Sequence, residues 1–112
     1  MNVTRPIIEH CVDVELEAAR KEHEEFHSLH EAYAVTLEEV QEADEEMDAV
    51  KYYANAFWDC VRSDDAECAD KQLAHIEKCA VSLAAEAVQV AAMARKARRL
   101  GKGENKTWFG KE

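Results

Sequence analysis

The stretch CAVSLAAEAVQVAAMA, from Cys79 to Ala94, decides the fold, because nearly all of its residues are apolar or small. Ala, Leu and Met favour helix, and neither Gly nor Pro interrupts the run. A helix that is apolar on all sides is normally buried on all sides. Glu86 would then carry its carboxylate into the core, where an unpaired charge is very costly. The sequence therefore predicts that a proton, a basic partner or a metal ion compensates Glu86.

Composition and charge indicate one small helical domain. The 112 residues can build one core, and 47% hydrophobic and 34% charged residues with three Gly and one Pro favour helices over sheet. The net charge of -10 predicts a surface that repels nucleic acid and anionic membranes. The apolar run is shorter than the ~20 residues of a membrane span, and residues 1–6 do not resemble a signal peptide. We therefore expect a cytoplasmic protein.

Four cysteines, Cys11, Cys60, Cys68 and Cys79, are expected to be free thiols in such a compartment. The alternative is a zinc site, because His75 and Cys79 are one helical turn apart. Their spacings match no Cys-x-x-Cys knuckle, and Cys often serves as a small buried apolar residue. Free thiols are therefore the favoured interpretation.

Apolar spacing and capping residues predict three helices. The first should run from about residue 6 to about residue 25, with Pro6 in its first turn. The second should begin at Ser28, which forms a capping box with Glu31, and continue to about residue 62. The Ser-Asp-Asp sequence at 63–65 should end it and cap a third helix, from about residue 66 to residue 100.

The three helices are expected to form a single domain over residues 1–101, with Gly101 after the last helix. Residues 102–112 are expected to be a mobile basic tail. Apolar residues at helical spacing define the predicted core faces. On the first helix they are Ile7, Cys11, Val14 and Ala18. On the second they are Tyr33, Leu37, Val40, Met47, Ala54, Phe57 and Val61. On the third they are Leu73, Ile76, Leu83, Ala87, Val90 and Ala94.

The lengths of the helices predict an assembly. At 1.5 Å per residue the second and third helices would each be about 50 Å long, whereas the first covers only about 30 Å. The uncovered half would expose aromatic side chains, namely Tyr52, Tyr53, Phe57 and Trp58. We therefore expect an all-α, antiparallel bundle of three helices per chain, completed by dimerisation. A kink in one long helix is the alternative.

A cluster of acids lies in LEEVQEADEEMD on the second helix, where Glu39, Glu42 and Glu46 share one strip. The short turn near residue 64 makes the second and third helices antiparallel neighbours. If both helices rise equally per residue, two residues whose numbers add up to about 127 lie opposite each other on the second and third helices. Glu39 then lies opposite about residue 88, and Glu42 opposite about residue 85. The carboxylates should reach the height of Glu86 and Gln89.

Converging carboxylates repel each other unless a cation lies between them. Ligation by oxygen alone selects a hard divalent ion, Mg²⁺ or Mn²⁺, and such ions commonly act in phosphate-ester or phosphoanhydride chemistry. The alternative is a solvated acidic face, with Glu86 hydrogen-bonded in the core. We favour the metal, because Glu86 stands at the matching height in an apolar helix.

The motif Glu38-Glu39-x-x-Glu42, followed by Glu86-x-x-Gln89, resembles the MazG-like family of all-α nucleoside triphosphate pyrophosphohydrolases. The segments FHSLHEAYAVTLEEVQEADEE and EAVQVAAMARKA are similar to short phage and prophage proteins placed near that family, and the resemblance covers about residues 22–100. It implies Mg²⁺-dependent cleavage of a nucleoside triphosphate into monophosphate and pyrophosphate, in a homodimer or dimer of dimers.

The resemblance also implies roles for individual residues. Glu39, Glu42 and Glu86 match metal-ligand positions, and Glu38 matches a position that could be a ligand or a base, so Glu38 and Glu39 are the candidate catalytic residues. Gln89 departs from the family's Asp; its amide oxygen can still ligate a hard cation, but without charge. The rival hypothesis is a catalytically inactive relative that binds a nucleotide or a protein partner.

Basic and histidine residues complete the candidate site. Arg95 and Lys96 begin a basic run that could neutralise a triphosphate, although cations are also favoured at a helix C-terminus. His30, with His23 and His27 near the first helix joint, could reach a base or a phosphate, or be incidental. We therefore expect Arg95, Lys96 and His30 to contact the substrate.

Overall fold

All three segments with apolar periodicity fold as α-helices in the computed structural model of the protein, which describes residues 3–22 and 25–100. The helices are α1 (Arg5–Glu22), α2 (Leu29–Arg62) and α3 (Ala66–Leu100). Across the described residues there is no strand, so the predicted all-α class is confirmed. Helix α1 ends before the predicted residue 25. The predictions for Gly101, the tail and His23 lie outside the described residues.

Side-chain caps determine where α2 and α3 begin. The Glu31 backbone N–H donates to Ser28 Oγ at 3.1 Å, and Glu31 Oε1 accepts from the His27 backbone N–H at 2.6 Å. This is the predicted capping box, with its carboxylate reaching one residue further back. At α3, the Cys68 backbone N–H donates to Asp65 Oδ1 at 3.0 Å. Each cap satisfies a backbone donor that the first helical turn leaves unpaired.

The chain divides into two compact units. The first contains the residues up to Val40 and those from Ala87 onward, and the second contains Gln41–Glu86. The core of the first unit joins all three helices and the α1–α2 connection. Its buried members are Val12, Leu16, Phe26, Ala32, Ala92 and Met93. Packing of these side chains therefore holds together segments that are distant in sequence.

The predicted core face of α1 is wrong, because its four members are all exposed. Val12, Leu16 and Ala19 repeat with the same helical spacing, and this second stripe belongs to the cluster around Phe26 and Met93. Two stripes with equal periodicity cannot be separated by the pattern alone. The stripe that meets the aromatic ring of Phe26 is the one that is buried.

The predicted faces of α2 and α3 are also partly wrong. Leu37, Phe57, Ile76, Leu83 and Val90 are half-buried as expected. The exposed members are Tyr33, Val40, Met47, Ala54, Val61, Leu73, Ala87 and Ala94. On both helices the buried positions lie one or two residues away, for example Ala32 on α2 and Ala92 and Met93 on α3.

The expectation that the stretch from Cys79 to Ala94 is buried on all sides is wrong. Val81 is 66% exposed, and Ala84, Ala85 and Ala91 are exposed as well. Three helices of one chain can cover only part of the circumference of α3. Alanine is small enough that its exposure costs little.

In the second unit, residues of α2 and α3 that contact each other lie at equal distances in sequence from the turn at Asp64. Cys60 and Cys68 are each 4 residues from Asp64, and their sulfurs form a disulfide. Tyr53 and His75 are each 11 residues from Asp64, and their rings stack with centroids 4.4 Å apart. Asp64 itself has a φ of 51°, a left-handed conformation that Asp tolerates better than most residues.

The disulfide contradicts the expectation of four free thiols. The Cα atoms of Cys60 and Cys68 are 5.6 Å apart, within the range that a disulfide spans. Cys11 and Cys79 are free, as expected. With two cysteines bonded to each other and His75 stacked on Tyr53, the zinc alternative loses most of its ligands.

Over the described part of α1, α2 and α3, no stretch combines the length and the apolar character that crossing a bilayer requires.

The disulfide can be tested by counting thiols. In denaturant without reductant, alkylation should modify Cys11 and Cys79 only, and after reduction all four cysteines. Replacing both Cys60 and Cys68 by Ser should lower the free energy of unfolding by about 2.5 kcal/mol, because the short closed loop no longer restricts the unfolded chain. Cys11→Ser is the matched control and should change stability little. Four modified cysteines without reductant would contradict the disulfide.

Candidate metal and substrate site

Two carboxylates face each other in the second unit. Glu42 on α2 and Glu86 on α3 are each 22 residues from Asp64, and their side chains share a hydrogen bond. One oxygen of each lies within 4.8 Å of the other. Glu86 is half-buried and Glu42 is exposed. Glu42 was expected opposite about residue 85, so the helical rise predicted this pairing to within one residue.

The electrostatics of this pair are unfavourable when both groups are ionised. Partial burial, followed by the negative charge of Glu42, its hydrogen bond and the charge of Glu46, raises the pKa of Glu86 above its ordinary value. A cation between the oxygens would relieve the same repulsion without a proton.

Glu39 lies one turn before Glu42 on the same helix. One oxygen of each lies within 4.8 Å of the other, and Glu39 is half-buried. The side chain of Glu38 is exposed. Two carboxylate pairs, Glu39 with Glu42 and Glu42 with Glu86, thus share Glu42 as their common member. The donor set is entirely oxygen, which fits a hard divalent cation.

Gln89, the fourth predicted ligand, is held by α1. Its Nε2 donates to Glu15 Oε1 at 2.7 Å, and both side chains are half-buried. This hydrogen bond does not use the amide oxygen of Gln89. Sequence reasoning missed Glu15, because the predicted core face of α1 turned it away from α3. The stripe of Val12, Leu16 and Ala19 would have put Glu15 beside the core.

The first unit contains a cavity of about 550 Å³. Its walls include the apolar side chains of Phe26, Val35 and Met93 together with Gln89. Its charged lining consists of Glu15, Glu22, Glu31, Glu39 and Lys96. The cavity has the size of a small-molecule site, but six of its eleven lining residues are polar or charged, more than in most such sites.

The predicted substrate-binding residues have different surroundings. Lys96 lines the cavity, is only 3% exposed, and has its Nζ 4.5 Å from the centre of the Phe26 ring. Arg95 forms an ion pair with Asp13 on α1. His30 is exposed in the first turn of α2. Sequence reasoning missed Phe26, which lies outside every predicted apolar stripe.

No protein-family model matches the chain, and neither curated proteins nor solved structures give a significant match. The resemblance to MazG-like pyrophosphohydrolases therefore depends on the motif residues alone and stays a prediction.

Replacing Glu86 by Gln tests the electrostatics of the carboxylate pair. An acid with a raised folded-state pKa causes no penalty at pH values below its unfolded pKa; the penalty grows as pH rises from the unfolded pKa to the folded pKa and is constant above it. At neutral pH without metal, Glu86→Gln should therefore be more stable than wild type, by less than about 1 kcal/mol because solvent screens the pair. Its amide can still donate to Glu42.

The comparison should be made by thermal or urea unfolding near pH 4 and pH 7.5, in the presence of a chelator. The advantage of Glu86→Gln should shrink near pH 4, because the penalty at Glu86 disappears below its unfolded pKa of ~4.3. Glu77→Gln, at an exposed position of α3, is the matched control and should behave as wild type at both pH values. Destabilisation by Glu86→Gln at pH 7.5 would show that Glu86 is held by favourable donors instead.

Proposed function

We propose that this protein is a Mg²⁺- or Mn²⁺-dependent hydrolase that cleaves nucleoside triphosphates into monophosphate and pyrophosphate. The observation that carries the proposal is the pairing of Glu42 with Glu86 across α2 and α3. The resemblance requires the motif that contains Glu42 to contact the motif that contains Glu86. The helical rise alone also predicted that Glu42 lies opposite about residue 85. Glu39, one turn from Glu42, would complete the carboxylate set.

Glu39, Glu42 and Glu86 would hold the divalent cation through their carboxylate oxygens. When bound, the cation would supply charge neutralisation of the phosphates and a more acidic bound water. The raised pKa of Glu86 supports this assignment, because a cation would relieve the mutual repulsion of these carboxylates. The amide oxygen of Gln89 could add a neutral ligand.

In the proposed reaction a water oxygen bonds to the α-phosphorus, the bond to the bridging oxygen breaks, and pyrophosphate leaves. Glu38, exposed beside Glu39, would accept the proton of the attacking water. Arg95 would exchange Asp13 for a phosphate oxygen, and His30 would approach the substrate from the start of α2. Lys96 would contact the substrate within the cavity.

A cytoplasmic location belongs to the same proposal, because nucleoside triphosphates are its substrates. Thiol reductants in that compartment would act on the Cys60–Cys68 disulfide. Activity should therefore be measured with and without reductant.

One observation favours the second candidate, an inactive relative that binds a nucleotide or a protein partner. Gln89 replaces a charged ligand of the family, and its amide is engaged by Glu15. A carboxylate set with one charge fewer would bind a divalent cation more weakly. The two candidates differ in product formation, not in fold.

Activity is tested by measuring pyrophosphate after incubation with Mg²⁺ and each nucleoside triphosphate. Glu39→Gln and Glu42→Gln should each reduce the release of pyrophosphate by more than ~10–100-fold. That is the loss typical of mutating a residue that only hydrogen-bonds to a metal ligand. Glu45→Gln, an exposed acid of the same helix, is the matched control and should retain activity. Mg²⁺ alone should raise the melting temperature of wild type but not of Glu42→Gln.

Two results would contradict the enzyme. Release of orthophosphate alone would indicate cleavage at another bond. Nucleotide binding without any product would favour the inactive relative.

A homodimer or dimer of dimers is also proposed, since several large apolar side chains of the second unit are open to solvent. Tyr52 is 68% exposed, Trp58 58% and Val81 66%. Their area would be covered by a second copy of the chain, giving an antiparallel bundle of more than three helices.

Light scattering should give two or four times the 12.7 kDa mass of one chain. Trp58→Glu should shift the mass to that of one chain, because a charge would be buried at the contact. Tyr33→Glu, equally exposed but in the first unit, is the control and should leave the mass unchanged. A wild-type monomer at micromolar concentration would refute the dimer.

A further inference from the structure

The cavity of the first unit contains a buried cation without an acidic partner. Lys96 is 3% exposed, and its recorded contact is the face of the Phe26 ring, 4.5 Å from Nζ. Over residues 3–22 and 25–100, no carboxylate forms an ion pair with it. Buried ammonium groups are normally paired, because their three N–H donors otherwise lose the hydrogen bonds of water. The cavity that Lys96 lines is where an acceptor could satisfy these donors.

The charge of the cavity restricts which acceptor fits. Glu15, Glu22, Glu31 and Glu39 line the same space, so four carboxylates accompany one ammonium. A phosphate or carboxylate of a ligand would be repelled by this lining. A neutral carbonyl oxygen accepts from Lys96 without that repulsion. The carboxylate of Glu15 only accepts hydrogen bonds, so its second oxygen would suit an N–H donor on the same ligand.

One carboxylate is already oriented to receive such a donor. Glu15 Oε1 accepts the amide N–H of Gln89, which fixes its side chain on the cavity wall and leaves Oε2 outside that hydrogen bond. The apolar walls, Phe26, Val35 and Met93, suit a flat ring between the polar groups. A volume of about 550 Å³ holds one heterocycle with its sugar.

We infer that this cavity binds the base of the nucleotide and selects bases that carry both a carbonyl and an exocyclic amino group, as cytosine and guanine do. Lys96 donates to the carbonyl oxygen, and Glu15, oriented by Gln89, accepts from the amino group. Adenine lacks the carbonyl, whereas uracil and thymine lack the amino group. The inference rests on the proposed function for its nucleotide, and it gives Gln89 a role in base selection.

The test is calorimetric titration with cytidine, guanosine, adenosine and uridine in the presence of a chelator, so that neither phosphate nor metal contributes. Cytidine and guanosine should bind about tenfold to a hundredfold more tightly than adenosine and uridine, as expected for a hydrogen bond to a charged group. Lys96→Met should reduce cytidine binding to the level of adenosine. Glu15→Leu should remove the preference for cytidine over uridine.

Two further variants separate recognition from folding. Lys96→Arg keeps charge and donors and should retain the preference for cytidine. Lys78→Met, at an exposed lysine of the same helix, should bind all four nucleosides as wild type does. Circular dichroism of Lys96→Met should match wild type, because the methionine chain can still pack on Phe26.

The inference and the proposed function fail separately. Pyrophosphate release by a protein that binds adenosine as tightly as cytidine, or whose binding is unchanged by Lys96→Met, overturns the inference alone. Selective binding of cytidine and guanosine without pyrophosphate release upholds the inference and overturns the proposed enzyme. Absence of nucleoside binding overturns the inference.

Discussion

The turn around Asp64 is the constraint on which the second unit depends. The backbone N–H groups of Asp64 and Asp65 donate to the carbonyl oxygens of Val61 and Cys60, both at 3.0 Å, so the chain reverses within a few residues. The left-handed φ of Asp64 permits this reversal, and the Asp65 side chain starts the next helix. Because both helices rise equally per residue, one turn sets every pair at greater distance, from the disulfide to Glu42 and Glu86. Inserting one residue in this turn would move Glu86 around α3 by ~100° relative to Glu42.

The carboxylate pairs and the cavity contain uncompensated charges of opposite sign. Glu42 and Glu86 bring like charges together, and a proton or cation is needed to compensate them. Lys96 is a charge whose recorded partner is a ring, and an acceptor is needed to compensate it. Charged groups that lack a compensating partner within the protein are common at active and binding sites, where a ligand can compensate them.

The starts of α2 and α3 and the positions of the carboxylates along these helices could be predicted from the sequence, because they depend on nearby residues. Ser28, Asp65 and the short turn act within a few residues, so their effect on α2 and α3 can be read from the sequence. The same helical rise brought Glu42 opposite Glu86. The buried face of α1 could not be read in this way, because two stripes have equal spacing and only tertiary contact with Phe26 decides between them. The burial of Lys96 could not be predicted for a similar reason: the ring that contacts it lies 70 residues earlier. The disulfide was missed because the expected compartment was weighed above the symmetric placement of Cys60 and Cys68 about the turn.

The division of the chain has a consequence for the order of folding. The second unit is one continuous segment, and its disulfide joins residues only 8 apart. The first unit combines both ends of the described chain, and its Gln89–Glu15 hydrogen bond spans 74 residues. Closing a long loop costs more entropy than closing a short one, and local contacts form first. We therefore expect that, during synthesis on the ribosome, the hairpin with Glu42 and Glu86 forms before the end of α3 has emerged. The cavity with Lys96 closes only after the end of α3 has left the exit tunnel.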